Sequence, residues 1–163
     1  MVRTGECELG LAESSPDLDG LDSLSLADQE FFAVLPPDIG TPRSTPLPVA
    51  QLAAMPLIAT PEETAMRALV DRALTVHGTP PRVAIETSHR AAIVPLVLAG
   101  AGATLLPRSI AEDASWRGAV IMLTAPRLVR TVQLMWRSQP LSPSAAAFVN
   151  LANPATNPHT EPD

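Results

Sequence analysis

The sequence predicts an α/β chain in which strands alternate with helices and pair mainly in parallel. Three observations carry that reading. Short apolar runs recur between Pro- and Gly-rich breaks, as buried strands do. The stretch TPEETAMRALVDRALTVHG has the spacing of an amphipathic helix, with Met66, Leu69, Val70, Ala73 and Leu74 on one face and Arg67, Asp71 and Arg72 on the other. Finally, LVLAGAGATLLP, residues 96–107, breaks the most hydrophobic part of the chain with two glycines one residue apart. This reads as a helix end, a tight turn and a following strand. Gly100 has the left-handed freedom of the residue after a helix, and Gly102 lets the chain turn closely back against the sheet.

Taken in order, GECELGLAE holds a brief buried strand from Leu9 to Ala12, and SSPDLDGLDSLSL is turn-rich and acidic. EFFAVLP is a second strand ended by Pro36 and Pro37, and PPDIGTPRSTPLP is loop because its prolines cannot join a ladder. PVAQLAAM forms a short helix leading into the strand PLIAT. The long helix then opens with three signals: Thr60 as N-cap, Pro61 at the first helical position, and Glu63 closing a capping box with Thr60. Gly78 ends it. RVAIE is a strand, and Thr87 or Ser88 caps a helix through IVPLVLA, which Pro95 should kink or deprive of a hydrogen bond. ATLLP is apolar on both faces, as parallel strands are. AVIML and TVQLMWR are further strands, and Ser142 with Pro143 repeats the cap-plus-proline start before AAAFVNLA. The polar, Pro-rich tail, residues 153–163, is expected to be disordered.

Composition narrows the function. Eleven basic residues, all Arg, face seventeen acidic ones for a net charge of −6, which argues against a nucleic-acid surface. No run approaches the ~18 apolar residues of a membrane span. The start MVRTGECELG lacks the apolar core of an export signal, and Cys7 is alone, so a cytoplasmic location is expected. No G-x-S-x-G elbow, phosphate loop or dinucleotide glycine pattern is present, and neither an enzyme nor a cofactor is expected. His77, His89 and His159 lack metal-ligand spacing, so no metal is expected either. Trp116 and Trp136 read as packing residues, and Cys7, between Glu6 and Glu8, does not read as a nucleophile.

The order of segments resembles the effector-binding domain of LysR-type transcriptional regulators. Residues Gly5 to Leu11 resemble the family's "G-x-x-D-L-G-I", and Leu52 to Ile58 its "L-x-x-x-P-L-I". Glu86, then Leu96 to Gly102, then Leu105-Leu106-Pro107 resemble "E…LV-AG-GI-LLP". Leu134 to Arg137 with Leu141, Ser142, Pro143 and Phe148 resemble the closing "L-WR…LSP-A-AF". The resemblance covers about residues 2–152. It implies a two-lobe, periplasmic-binding-protein-like (type II) sensor fold, with lobe I from residues 1–55 plus 126–152 and lobe II from 56–125. The family's helix-turn-helix and the first β-α-β stretch of lobe I have no counterpart in these motifs, so lobe I is expected to be incomplete and this piece not to contact DNA. The implied function is sensing of a small effector for transcriptional regulation, with a homodimer formed through the sensor lobes. The alternatives are a two-lobe solute-binding protein, or a shortened chain without independent function.

Candidate binding residues follow from both lines. Thr60 and the pair Thr87-Ser88 stand at helix starts directly after apolar strands, where open α/β sheets bind ligands and helix N-termini favour anions. A small anionic effector, a carboxylate above all, is therefore expected on Thr60, Thr87, Ser88 and His89. Glu13, with Ser14 and Ser15, ends the first strand and is expected to face the same cleft. No membrane partner is expected.

Overall fold

A computed structural model of the chain describes residues 1–13, 20–39, 45–75 and 80–153. The elements in order are β1 (Leu9–Glu13), β2 (Leu21–Leu35), β3 (Leu47–Pro48), α1 (Val49–Ala53), β4 (Leu57–Ala59), α2 (Ala65–Thr75), β5 (Val83–Glu86), α3 (Arg90–Leu98), β6 (Thr104–Pro107), α4 (Arg108–Trp116), β7 (Val120–Arg137) and α5 (Pro143–Ala152). Hydrogen-bonded neighbours run β1-β7-β2-β6, with β3 also on β7, and β4 and β5 form a separate pair. The chain divides into two compact units, Met1–Gln29 with Arg130–Asp163, and Glu30–Val129. Residues 30–55, grouped with lobe I in the sequence reading, fall in the second of these.

The second unit holds two apolar clusters. Strand alternation makes them: Ala33 and Leu35 of β2, Leu57 of β4 and Leu105 of β6 join one, while Val34, Ile58 and Leu106 join the other. Helices α1 and α2 close the first cluster through Val49, Leu52, Val70 and Leu74. Helices α3 and α4 close the other through Ile93, Val94, Val97, Ala111 and Ala114. Strand β6 is therefore buried along its whole length, but not because it is parallel. It runs antiparallel to β2, Phe31 facing Pro107 and Val34 facing Thr104; beside β4, Thr104 Oγ1 donates to Ile58 O at 2.9 Å, and Ala103 just ahead of β6 bridges Leu57 in parallel. Pairing is mixed rather than mainly parallel: β4 with β5 and β3 with β7 are parallel, β1 with β7 and β2 with β6 antiparallel.

In the first unit, β1 lies antiparallel on the C-terminal part of β7, from Leu9 opposite Trp136 to Glu13 opposite Val132. Ser142 caps α5 as expected, its hydroxyl accepting from Ala145 N at 3.3 Å with Pro143 at the first position. The Glu8 carboxylate accepts from Ser142 N and Oγ at 2.9 and 2.7 Å. The backbone N–H of Ser142, then its hydroxyl, hold the Glu8 carboxyl below its ordinary pKa. A depressed folded-state value means that this contribution is complete above the unfolded pKa and disappears as pH falls through the folded one. Melting midpoints of wild type and Glu8→Gln should accordingly differ at neutral pH and converge in acid. A gap that stays constant down to the acid limit would contradict this.

Several elements differ from the sequence expectation. Residues 21–26, expected to be turn-rich, are strand, β2 being 15 residues long. AVIML and TVQLMWR are one 18-residue strand, β7, continuous through Pro126. Helix α4 was not foreseen, and its last residue, Trp116, is 91% exposed rather than packed. Helix α2 begins at Ala65, not after Thr60, because Thr64 takes the capping role: Arg67 N donates to Thr64 Oγ1 at 3.2 Å. In α3 the cap position is His89, one residue beyond Ser88, and no side chain caps it. Gly78 and the tail beyond 153 lie outside the described residues. No helix among the described residues is long and apolar enough to cross a membrane.

Candidate functional site

Parallel strands that end side by side place their following residues together. The N–H of Thr87 donates to Ala59 O at 3.0 Å, so the turn after β5 stands against the end of β4. Thr60, Thr87, Ser88 and His89 are in this way brought to one corner of the second unit.

Their exposures differ and decide what each can do. Thr60 is 3% exposed. Its hydroxyl lies 2.6 Å from Thr64 Oγ1, and because Thr64 gives its own proton to Pro61 O at 2.7 Å, Thr60 is the donor of the pair. Thr87 is half-buried and its Oγ1 accepts from His89 N at 3.1 Å. That contact turns the chain into α3 while the Thr87 hydroxyl proton stays available. Ser88 and His89 are exposed. With no side chain capping it, the first turn of α3 presents backbone N–H groups and the positive end of the helix dipole.

Beneath this corner sits a residue the sequence placed on the polar face of its helix. Arg67 is 8% exposed. Its Nη1 donates to Thr60 O at 3.3 Å and to Glu86 Oε2 at 3.2 Å, and its Nε to Asp71 Oδ1 at 2.9 Å. Glu62 approaches Nη2 at 3.5 Å. The hydrogen bond to Asp71 raises the Arg67 pKa further above its ordinary value, against the desolvation that lowers it. One guanidinium thus ties the ends of β4 and β5 together. The signal in the sequence was the Arg67/Asp71 spacing of four on a helix. Periodicity alone could not reveal that the pair turns inward.

Glu13, the other candidate, belongs to the first unit, where it is half-buried at the end of β1 opposite Val132. Ser14, Ser15, His77 and His159 lie outside the described residues. Among the described residues no group of three or more His, Cys, Asp or Glu could hold a metal ion.

Comparison with known proteins adds to this geometry. The profile of the LysR substrate binding domain matches residues 1–156. A probable hydrogen peroxide-inducible genes activator of Mycobacterium avium is 28% identical over 144 residues, which is 85% of this chain and 45% of that protein. An uncharacterised HTH-type transcriptional regulator of Mycobacterium bovis is 30% identical over 154 residues, 89% of this chain and 49% of the relative. The chain therefore spans about half the length of the curated relatives it matches. Among solved structures, the CcmR regulatory domain of Synechocystis PCC6803, in complex with 2-PG, superposes with a TM-score of 0.83 at 16% identity, over 97% of this chain and 77% of the other. The effector binding domain of QuiR in complex with shikimate gives 0.82 at 17% identity, over 97% and 76%. These similarities show the fold, an α/β domain of the periplasmic-binding-protein-like kind.

Proposed function

Because the chain belongs to the LysR substrate binding domain family, we propose that it is the effector-sensing part of a cytoplasmic transcriptional regulator and not an enzyme. The sensor is proposed to associate as a homodimer. Its ligand is a small carboxylate received at the corner formed by Thr87, Ser88 and His89. The observation that carries the proposal is the uncapped start of α3, whose N–H groups and dipole favour an anion. Thr87 adds a half-buried hydroxyl. Thr60 contributes by shaping the corner, since its own hydroxyl is engaged by Thr64.

The charge of the corner refines the ligand class. Glu62, Asp71 and Glu86 surround Arg67, and Arg90 opens α3 directly after His89, so three carboxylates stand against two guanidiniums. Opposing charges of that kind disfavour a dianion more than a single carboxylate. The ligand is therefore a monocarboxylate rather than a phosphate ester. Shikimate, which the QuiR domain binds, is a carboxylate of this kind.

Thermal unfolding by circular dichroism tests the proposal, with a panel of small carboxylates and their primary amides. At about 100 times Kd, ligand stabilises by about 2.7 kcal/mol, or roughly 5–10 °C for a chain of this size. One acid class should raise the midpoint while its amide does not. Thr87→Val should cut that rise by roughly a third, as the loss of one hydrogen bond of about 1 kcal/mol implies. A midpoint indifferent to every acid would rule the proposal out.

A further inference from the structure

A hollow in the second unit is used by nothing above. It has a volume of about 570 Å³ and is lined by Phe32, Thr45, Pro46, residues 120–123 and Arg127. It shares no residue with the corner at Thr87, Ser88 and His89. We propose that it is a second ligand site, for a small amphipathic carboxylate with an apolar aryl or alkyl body and one acid group.

The size lies within the usual range of ligand pockets, which are mostly apolar with a few placed polar groups. Here Phe32, Pro46, Ile121 and Leu123 supply apolar walls, and among the described residues Arg127 is the charged one of the lining. Arg127 Nε ion-pairs with Glu30 Oε1 at 2.7 Å, and among the described residues its two terminal nitrogens donate no hydrogen bond. Glu30 cannot neutralise it alone, because its other oxygen is held by Arg108 Nη2 at 2.6 Å. The Arg108 guanidinium also lies over the Phe32 ring, 5.1 Å from its centroid, which holds that wall in place. The result is an aromatic and aliphatic hollow with one guanidinium side anchored and the other side open. A carboxylate fits that open fork bidentately, while the apolar body displaces water from the walls.

Isothermal titration of the full chain with 4-phenylbutyrate and its neutral amide tests the site. The acid should bind saturably, roughly ten-fold tighter than the amide, as expected of a guanidinium–carboxylate fork. Arg127→Gln should remove that preference. Its side chain is 62% exposed, so the fold should survive the change. Leu123→Trp, which fills the hollow, should abolish binding of both compounds; if that variant does not fold, Arg127→Gln alone decides. Absence of saturation, equal affinity for acid and amide, or affinity weakened about five-fold in Thr87→Val but unchanged in Arg127→Gln each overturns the proposal. The last of these would assign the acid to the corner at α3 instead, leaving the reading of that corner intact.

Discussion

Gly102→Ala should lower the stability of the chain by about 2–4 kcal/mol, the range of a forced overlap plus an unfavourable backbone. A Cβ at this position would lie 2.5 Å from Pro56 O and 3.1 Å from Pro56 C, both backbone atoms with no flexible end to move aside. That carbonyl is itself committed, accepting from Ala103 N at 2.8 Å, while Ala103 O accepts from Ile58 N at 2.8 Å. Relief therefore requires separating β4 from the chain entering β6, at the level where Leu57, Ala103 and Leu105 join one apolar cluster. Gly100 provides the comparison. It has a φ of +80° and nothing within 4 Å of an added Cβ, so Gly100→Ala carries only the cost of a left-handed residue, about 1–2 kcal/mol. Urea denaturation of both variants measures the difference. Equal losses would mean that the close approach at Gly102 relaxes easily and that the second glycine of the pair has another purpose.

This turn also marks where the sequence was most informative. In LVLAGAGATLLP the helix end, the left-handed Gly100 and the close-packed Gly102 each follow from local chemistry, and Gly100 does close α3 just ahead of β6. The same holds for Ser142 with Pro143 before α5. What local chemistry could not supply was the extent of the long strands. LDSLSLADQ is polar and alternates weakly, and it becomes strand because β2 lies beside β7 in the sheet, where Asp28 accepts from Thr131 Oγ1, Gln29 accepts from Arg130 Nε, and Glu30 ion-pairs with Arg127. Those partners are about 100 residues away in sequence, and no window reading sees them. The site divides in the same way. The helices start later than expected, behind Thr64 and His89, but the position after the strands was legible, since Thr60 and Thr87 follow PLIA and RVAIE. The division of labour between them was not, because it depends on Thr64 intercepting the Thr60 hydroxyl and on Arg67 turning inward.

Arg67→Met should cost about 1–3 kcal/mol and weaken ligand binding at the α3 corner with it. The size follows from what the substitution strands. Asp71 and Glu86 have side chains 37% and 50% exposed, and Glu62 is 80% exposed, so all three carboxylates return to water once the guanidinium is gone. The loss is therefore smaller than the 3–5 kcal/mol of a charge abandoned in a dry interior. The carbonyl of Thr60 has less recourse, because its residue is only 3% exposed, and a buried acceptor deprived of a charged donor costs about 1.5–3 kcal/mol. Methionine fills part of the vacated volume and keeps the total toward the lower half of that range. Arg67→Lys should fall between the two, since one ammonium cannot reach Thr60 O, Glu86 and Asp71 together. The functional consequence separates a stabilising role from a positioning one. Glu86 immediately precedes Thr87, and Thr60 immediately follows the neighbouring strand, so releasing both from Arg67 loosens the frame that presents Thr87, Ser88 and His89. The ligand-induced rise in melting temperature should then shrink in Arg67→Met by more than in a variant of equal instability made elsewhere, such as a truncation of Leu74 in the other helix face. An equal rise in the two would leave Arg67 as a support of the fold alone.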